Sequence, residues 1–268
     1  MPHRIVFSDI DGTLLNPERE LSEFTISEIK RIKDEIPVIL ISSRMPSAMT
    51  HLQEKLEITN QPLICYNGGL ILINKKVVHS TYIATDIIKE LHNFNSNQDI
   101  HISVYHNDDW YVPEMDFWAH REAQNTKVDP VVKPLQQVIK KWNSENKGAH
   151  KIMCMGEESY IDKAYTFLEN NFAERLHLYR SKPTYIEIAH KSISKLTAIE
   201  ILLNTHFNIP IAKAIAFGDN YNDIDMLKAV GTGVAVANAK PETLEIANTI
   251  TLAGKEDGVA TYIKNNIL

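Results

Sequence analysis

Short apolar runs alternate with amphipathic stretches over the first 80 residues, and the same pattern resumes after His190. That alternation constrains the chain more than any other feature, because strands joined by crossover helices build a parallel sheet covered on both faces. Ile5 to Phe7 opens the first strand. Beyond a loop containing Asn16 and Pro17, the residues Phe24, Ile26, Ile29, Ile32 and Lys33 follow a mostly helical period, and Ser22 is placed to cap it. Val38 to Ile41 reads as a buried strand, Pro46 suits the first turn of a helix reaching about Leu56, and Leu63 to Cys65 supplies a third strand. After His190 come a helix from Ser194 to about Asn204, a strand at Ala214 to Phe217, a helix through Met226 and a strand at Gly233 to Val236.

Between these halves the texture changes, with more Tyr, Trp and His and with segments that suit antiparallel strands. The sequence predicts an inserted α+β domain over residues 81–190, splitting an α/β core made of residues 1–80 and 191–268. Helices are expected near Asp86 to Phe94, Pro134 to Trp142 and Glu157 to Asn170. Strands are expected at His101 to Tyr105, Trp110 to Val112, Lys151 to Met155 and Tyr185 to Ile188. The aromatic and basic residues Trp110, Tyr111, Phe117, Trp118, His120 and Arg121 read as core of this insertion rather than as ligand contacts.

Composition excludes several classes of function. The formal net charge of −6 gives no general attraction to nucleic acid or to an anionic membrane, although a local basic pocket can still hold a small phosphorylated ligand. Cys65 and Cys154 are the only cysteines, too far apart in sequence for a Cys-x-x-Cys site, and read as small buried hydrophobes. No segment carries the apolar length of a bilayer span or a signal peptide, so a cytoplasmic location and a monomer or small homo-oligomer are expected.

The chemistry is concentrated at strand ends. Phe7-Ser8-Asp9-Ile10-Asp11-Gly12-Thr13-Leu14 runs a strand into two acids one residue apart. Residues two apart on a strand share a face, so Asp9 and Asp11 can converge, and Gly12 lets the chain turn past them. Convergent carboxylates repel unless a cation offsets them, and hard oxygen ligands suit magnesium. By spacing alone the same acids also suit a turn after a surface strand. A second acidic segment, Gly218-Asp219-Asn220-Tyr221-Asn222-Asp223, follows another strand and would reach the same rim, though helix capping alone also accounts for it. Ser42-Ser43-Arg44 and Lys195 add a hydroxyl, backbone N–H groups and an ammonium of the kind a dianionic phosphate needs.

Taken in order, Asp9-Ile10-Asp11-Gly12-Thr13, Ser42, Lys195 and Gly218-Asp219-x-x-Asn222-Asp223 resemble the four motifs of the haloacid dehalogenase superfamily, and specifically its Cof-like phosphatases. The insertion after the third core strand, near Tyr66-Asn67-Gly68-Gly69, resembles the α/β cap of type IIB. The resemblance implies a Rossmann-like parallel-sheet core and a phosphatase for small phosphorylated metabolites. It implies Asp9 as nucleophile, Asp11 as general acid and then base, and Mg2+ held by Asp9, the Asp11 backbone carbonyl and Asp219, with Asp223 supporting that site from behind. It also implies that Ser42, the Ser43 backbone, Lys195 and Asn222 hold the phosphoryl oxygens. Three positions depart from the family pattern: Ser8 where an aromatic is frequent, Ser43 where Gly is common, and Leu196 where Gly often follows the lysine. Ser43 raises a question about the backbone of the phosphate loop, which Gly would relieve. A sugar phosphomutase and a non-catalytic phosphometabolite sensor remain as alternatives at this point.

Overall fold

The computed structural model describes residues 3–267 of the chain. It begins with β1 (Ile5–Ser8), α1 (Glu23–Ile32), β2 (Val38–Ile41), α2 (Ser47–Leu56), β3 (Leu63–Cys65) and a hairpin of β4 (Leu70–Ile73) and β5 (Lys76–Ser80). There follow α3 (Thr85–Phe94), β6 (His101–His106), β7 (Asp109–Val112), α4 (Phe117–Thr126), β8 (Val131–Val132), α5 (Leu135–Ser144), β9 (Lys151–Met155), α6 (Glu158–Phe172), β10 (Leu176–Lys182) and β11 (Tyr185–His190). The chain then returns through α7 (Lys195–Leu202), β12 (Ala214–Gly218), α8 (Ile224–Ala229), β13 (Thr232–Val236), α9 (Pro241–Ile246), β14 (Thr249–Thr251) and α10 (Gly258–Asn266). Two compact units result: one runs to Arg44 and includes Met49–Val78 and the chain from Ser194 onward, and the other comprises Met45–Ala48 and His79–Ile193.

The first unit is built on a sheet ordered β14-β13-β12-β1-β2-β3-β4-β5. It is parallel from β14 to β3, and β4 turns back antiparallel to β3. Central strands with both faces covered read as unbroken apolar runs, and every residue of β1, β2 and β12 is buried. Ile5, Phe7, Ile39, Ile41, Ala214 and Ala216 pack with Ala198, Ile199 and Leu202 of α7 and with Met226 and Leu227 of α8. Ser22 caps α1 by accepting a hydrogen bond from the Thr25 N–H at 2.9 Å, and the helix buries Thr25, Ile29 and Ile32.

The second unit carries a sheet ordered β10-β11-β9-β6-β7-β8, antiparallel except where α4 carries the chain from β7 to a parallel β8. Alternate residues Ile102 and Val104, Ile152 and Cys154, and Ile186 and Ile188 share one face. They form a single buried cluster with Ile88 and Leu91 of α3, Val138 and Trp142 of α5, and Ile161 and Leu168 of α6. Both cysteines are buried, and neither is in a disulfide. Among the described residues no helix is long and apolar enough to cross a membrane.

The expected aromatic core of the insertion divides. Trp110 and Tyr111 are buried, and Trp110 stacks on Tyr105 with ring centroids 5.5 Å apart. Phe117 is instead 68% exposed and His120 is exposed, while Trp118 and Arg121 are half-buried. Phe117 and Trp118 meet edge to face, and the Arg121 guanidinium lies 4.5 Å from the Trp118 ring centroid. The reason is that α4 crosses from β7 to the two-residue edge strand β8 and buries only Ala119, so its aromatics stay on the surface. The sequence reading also lacked the β4–β5 hairpin, α4, β8, β10, α9, β14 and α10.

Candidate active site

Strand register places the site. Ser8 pairs with Phe217 on one side and Leu40 on the other, so β1, β2 and β12 end at one level. The Asp9 N–H donates to the Phe217 carbonyl at 3.0 Å, and the Ser42 N–H donates to the Ile64 carbonyl at 3.0 Å. Asp9, Ser42 and Asp219 therefore leave the sheet on its C-terminal rim, where open α/β sheets present ligands. Gly12 turns with φ +86°, and a Cβ there would overlap the Asp219 carboxylate. Only glycine allows the two acidic loops to approach this closely.

Lys195 opens α7, whose start is fixed by a reciprocal pair in which the Thr197 N–H donates to Ser194 Oγ and the Ser194 N–H donates to Thr197 Oγ1. From there the ammonium reaches Asp9 Oδ1 at 2.5 Å and Asp223 Oδ1 at 2.6 Å, with all three side chains buried. Burial opposes the charge on Lys195, but Asp223 and Asp9 outweigh it and hold the amine protonated. The other oxygen of Asp223 accepts the backbone N–H groups of Asp219 at 2.9 Å and Asn220 at 3.0 Å. Asp223 thus ties the loop together and is fully engaged.

Asp9 Oδ2 is buried without a hydrogen-bond partner. One carboxylate oxygen each from Asp9, Asp219 and Asp223 lies within 4.8 Å of the others. Burial pushes Asp9 well above the usual carboxylate range against the pull of Lys195, with Asp223 and Asp219 adding to the rise. Burial and then the charge of Asp223 push Asp219 up to about 7. Thr13 Oγ1 supports Asp219 with a 3.3 Å hydrogen bond to Oδ1. An orphaned carboxylate oxygen among crowded acids fits a hard divalent cation, with Asp9 and Asp219 the members able to face it and Asp223 committed behind them.

The Asp11 side chain lies outside that cluster. Arg44 grips both of its oxygens, Nε to Oδ2 and Nη2 to Oδ1, each at 2.7 Å. Arg19 Nη1 stands 3.6 Å from Oδ1. Burial would raise the Asp11 carboxyl, but the hydrogen bonds and charge of Arg44, helped by Arg19 and Lys195, hold it below its ordinary value.

Ser42 and Asn222 are joined through Asn67. The Asn67 N–H donates to the Ser42 carbonyl at 2.9 Å, and Asn222 Nδ2 donates to Asn67 Oδ1 at 3.0 Å. Ser43 has no left-handed backbone conformation, so a side chain at this position brings no strain of the kind glycine would relieve. Ser8 is buried and satisfied locally, its Oγ donating to the Asp9 carbonyl at 2.8 Å. The roles of Arg44 towards Asp11, Asn67 towards Asn222 and Thr13 towards Asp219 were missed by the sequence reading. The Asn67-Gly68-Gly69 run was the one available signal, since Asn before Gly favours the left-handed conformation that Asn67 adopts at φ 55°.

These elements define a Rossmann-like α/β core with an acidic rim at the C-terminal ends of its strands, and comparison with known proteins places it. The sequence model of the haloacid dehalogenase-like hydrolases matches residues 6–263. A Haemophilus influenzae protein named "Putative phosphatase" is 33% identical over 268 residues, covering 98% of each chain. A Bacillus subtilis 5-amino-6-(5-phospho-D-ribitylamino)uracil phosphatase is 26% identical, over 97% of this chain and 96% of its own. The crystal structure of a haloacid dehalogenase-like hydrolase from Bacteroides thetaiotaomicron superposes with a TM-score of 0.90 at 24% identity, over 98% of this chain and 99% of that one. The chain belongs to the haloacid dehalogenase-like hydrolases.

Proposed function

We propose that the protein is a magnesium-dependent phosphatase of small phosphorylated metabolites that works through a phosphorylated Asp9. The observation that carries this reading is the buried, unpartnered Asp9 Oδ2 in a cluster with Asp219 and Asp223, beside the charged Lys195. Asp9, the Asp11 backbone carbonyl and Asp219 are the proposed metal-holding groups. Bound magnesium supplies positive charge that lets an anionic carboxylate meet an anionic phosphate.

The chain's own groups carry the rest. An Asp9 oxygen attacks phosphorus as the ester P–O bond breaks, and Asp11 gives a proton to the departing alcohol oxygen. Water then attacks the aspartyl-phosphate, Asp11 takes a proton from it, and inorganic phosphate leaves with Asp9 restored. Lys195, the Ser42 hydroxyl, the Ser43 N–H and the Asn222 amide hold the phosphoryl oxygens through this exchange. Uncatalysed phosphate-monoester hydrolysis is so slow that accelerations up to roughly 10²¹-fold are required, which makes fixed positive charge at those oxygens a necessity.

The insertion is assigned the choice of leaving group. Sugar or sugar-alcohol phosphates are the proposed substrates, a reading supported by the name of the Bacillus subtilis relative, which specifies a phosphorylated ribityl compound. The test is inorganic phosphate release from a panel of phosphometabolites with and without magnesium, using wild type and Asp9→Asn. Magnesium-dependent release by wild type alone is expected. Equal release by a clean Asp9→Asn preparation would remove Asp9 from the role, and failure of wild type across the panel would remove the phosphatase reading.

A further inference from the structure

We propose that Arg44 is a positioning residue for this reaction, holding the Asp11 carboxylate in the one orientation from which it meets the leaving-group oxygen. The inference rests on the phosphatase reading above and adds to it a group outside the motif positions that suggested it. Its basis is a two-point contact: Nε and Nη2 each lie 2.7 Å from a different Asp11 oxygen, which fixes both the place and the rotation of the carboxylate plane.

The anchor is the better-held partner. The Arg44 side chain is 7% exposed, against 41% for Asp11. Its backbone is held at both ends, the N–H donating to Ser42 Oγ at 3.3 Å and the carbonyl accepting from the Tyr66 N–H at 3.2 Å. Arg44 thereby couples the proton-handling carboxylate to the loop that carries Ser42 and Ser43. Arg19 cannot do this work. It is 45% exposed and its Nη1 stands 3.6 Å from Asp11 Oδ1, beyond hydrogen-bond distance, whereas Arg44 makes two bonds of 2.7 Å.

A lysine at position 44 would keep the charge but offer a point contact, which cannot define the plane of a carboxylate. A misplaced proton donor slows the departure of a poor leaving group far more than that of a good one, because a stable anion leaves with little help. Arg44→Ala and Arg44→Lys are to be compared with wild type on 4-nitrophenyl phosphate and glycerol 3-phosphate, with magnesium present. Melting temperatures establish that each variant is folded, and Arg44→Lys keeps the test open if the alanine variant is not.

The expected result is a fall in kcat on glycerol 3-phosphate of about 100-fold in both variants, against less than about tenfold on 4-nitrophenyl phosphate, with KM changed less than about threefold. Guanidinium ion at low, non-denaturing concentration should recover part of the lost glycerol 3-phosphate turnover in Arg44→Ala. Equal losses on both esters in a folded variant, or no loss on either, would overturn the positioning role while leaving the phosphatase reading intact. Absence of turnover by wild type on both esters and on the phosphometabolite panel would instead bring down that reading and this inference with it.

Discussion

Asn222 and Asn67 are 155 residues apart in sequence, and their side chains meet in a 3.0 Å hydrogen bond from Nδ2 to Oδ1. Asn67 is 2% exposed and holds φ 55°, a conformation that costs most residues roughly 1 kcal/mol or more but suits Asn and Gly. The bond turns the Asn222 amide in a fixed direction and leaves its second N–H for another acceptor.

Two variants separate backbone from side chain at this position. Asn67→Gly keeps the left-handed backbone and loses the acceptor; its melting temperature should move little, while kcat/KM for phosphate release falls about tenfold, the worth of one well-made hydrogen bond. Asn67→Ala should lose the same activity and, in addition, about 1 kcal/mol of stability in urea unfolding. An Asn67→Gly enzyme with undiminished kcat/KM would show that Asn222 needs no such support.

Lys195 is a second cross-chain tie, bridging Asp9 and Asp223 with no exposure of its own ammonium. Lys195→Met leaves two buried carboxylates facing each other without a cation. Breaking a buried pair in this way costs about 3–5 kcal/mol, which urea unfolding of the metal-free protein would read directly. The accompanying Lys195→Met/Asp223→Asn double variant should be more stable than Lys195→Met alone, since it removes one of the two facing carboxylates; no recovery would mean that the pair does not couple as drawn.

Gly12→Ala combines two penalties, a left-handed φ of +86° and a Cβ overlapping the Asp219 carboxylate. The overlap is with a side chain at the site itself, so the expected damage is specific. Magnesium should raise the melting temperature of wild type and fail to do so for a folded Gly12→Ala. An unchanged magnesium response would show that the Asp219 carboxylate can move away without consequence.

How far the sequence disclosed all this depends on what kind of signal each residue left. β1, β2, β3 and β12 were legible because strands buried on both faces write continuous apolar runs such as Val38 to Ile41. The β4–β5 hairpin was not: its Asn74 and Lys75 turn lies between apolar stretches that read equally well as a longer element. Asp9, Asp219 and Lys195 stood out through acid spacing and position after strands or at a helix start, and their convergence followed from parallel topology. Arg44 showed only as the end of Ser42-Ser43-Arg44 after the second strand, with nothing to tie it to Asp11. A lone arginine after a serine pair has no period or partner in the sequence, and only the folded register of β1 beside β2 brings it to Asp11.

The aromatic residues of the insertion give a contrast that can be measured. Trp142 is fully buried in the helix-side core, so Trp142→Ala should cost about 3–5 kcal/mol. Phe117, at 68% exposure, should tolerate Phe117→Ser within about 0.5 kcal/mol. Equal destabilisation by the two would mean that α4 is held in the core after all.

Asp219 supplies the pH dependence. Its folded value of about 7, against an ordinary 3.8, arises first from burial and then from the charge of Asp223. A carboxyl whose folded value is raised binds its proton more tightly in the folded state. Its contribution to stability is therefore complete below pH 3.8 and is lost as the pH climbs through 7. In the metal-free protein Asp219→Asn should therefore melt above wild type at pH 8, by a wider margin than at pH 5. At the proposed site magnesium would compete with that proton, because a metal ligand must be ionised. Its stabilising effect on wild type should accordingly be larger at pH 8 than at pH 5, as read by the shift in melting temperature at a fixed magnesium concentration. An equal shift at both pH values would show that no carboxyl of this cluster holds a proton in that range, and the acids would then have to be ionised together without the metal.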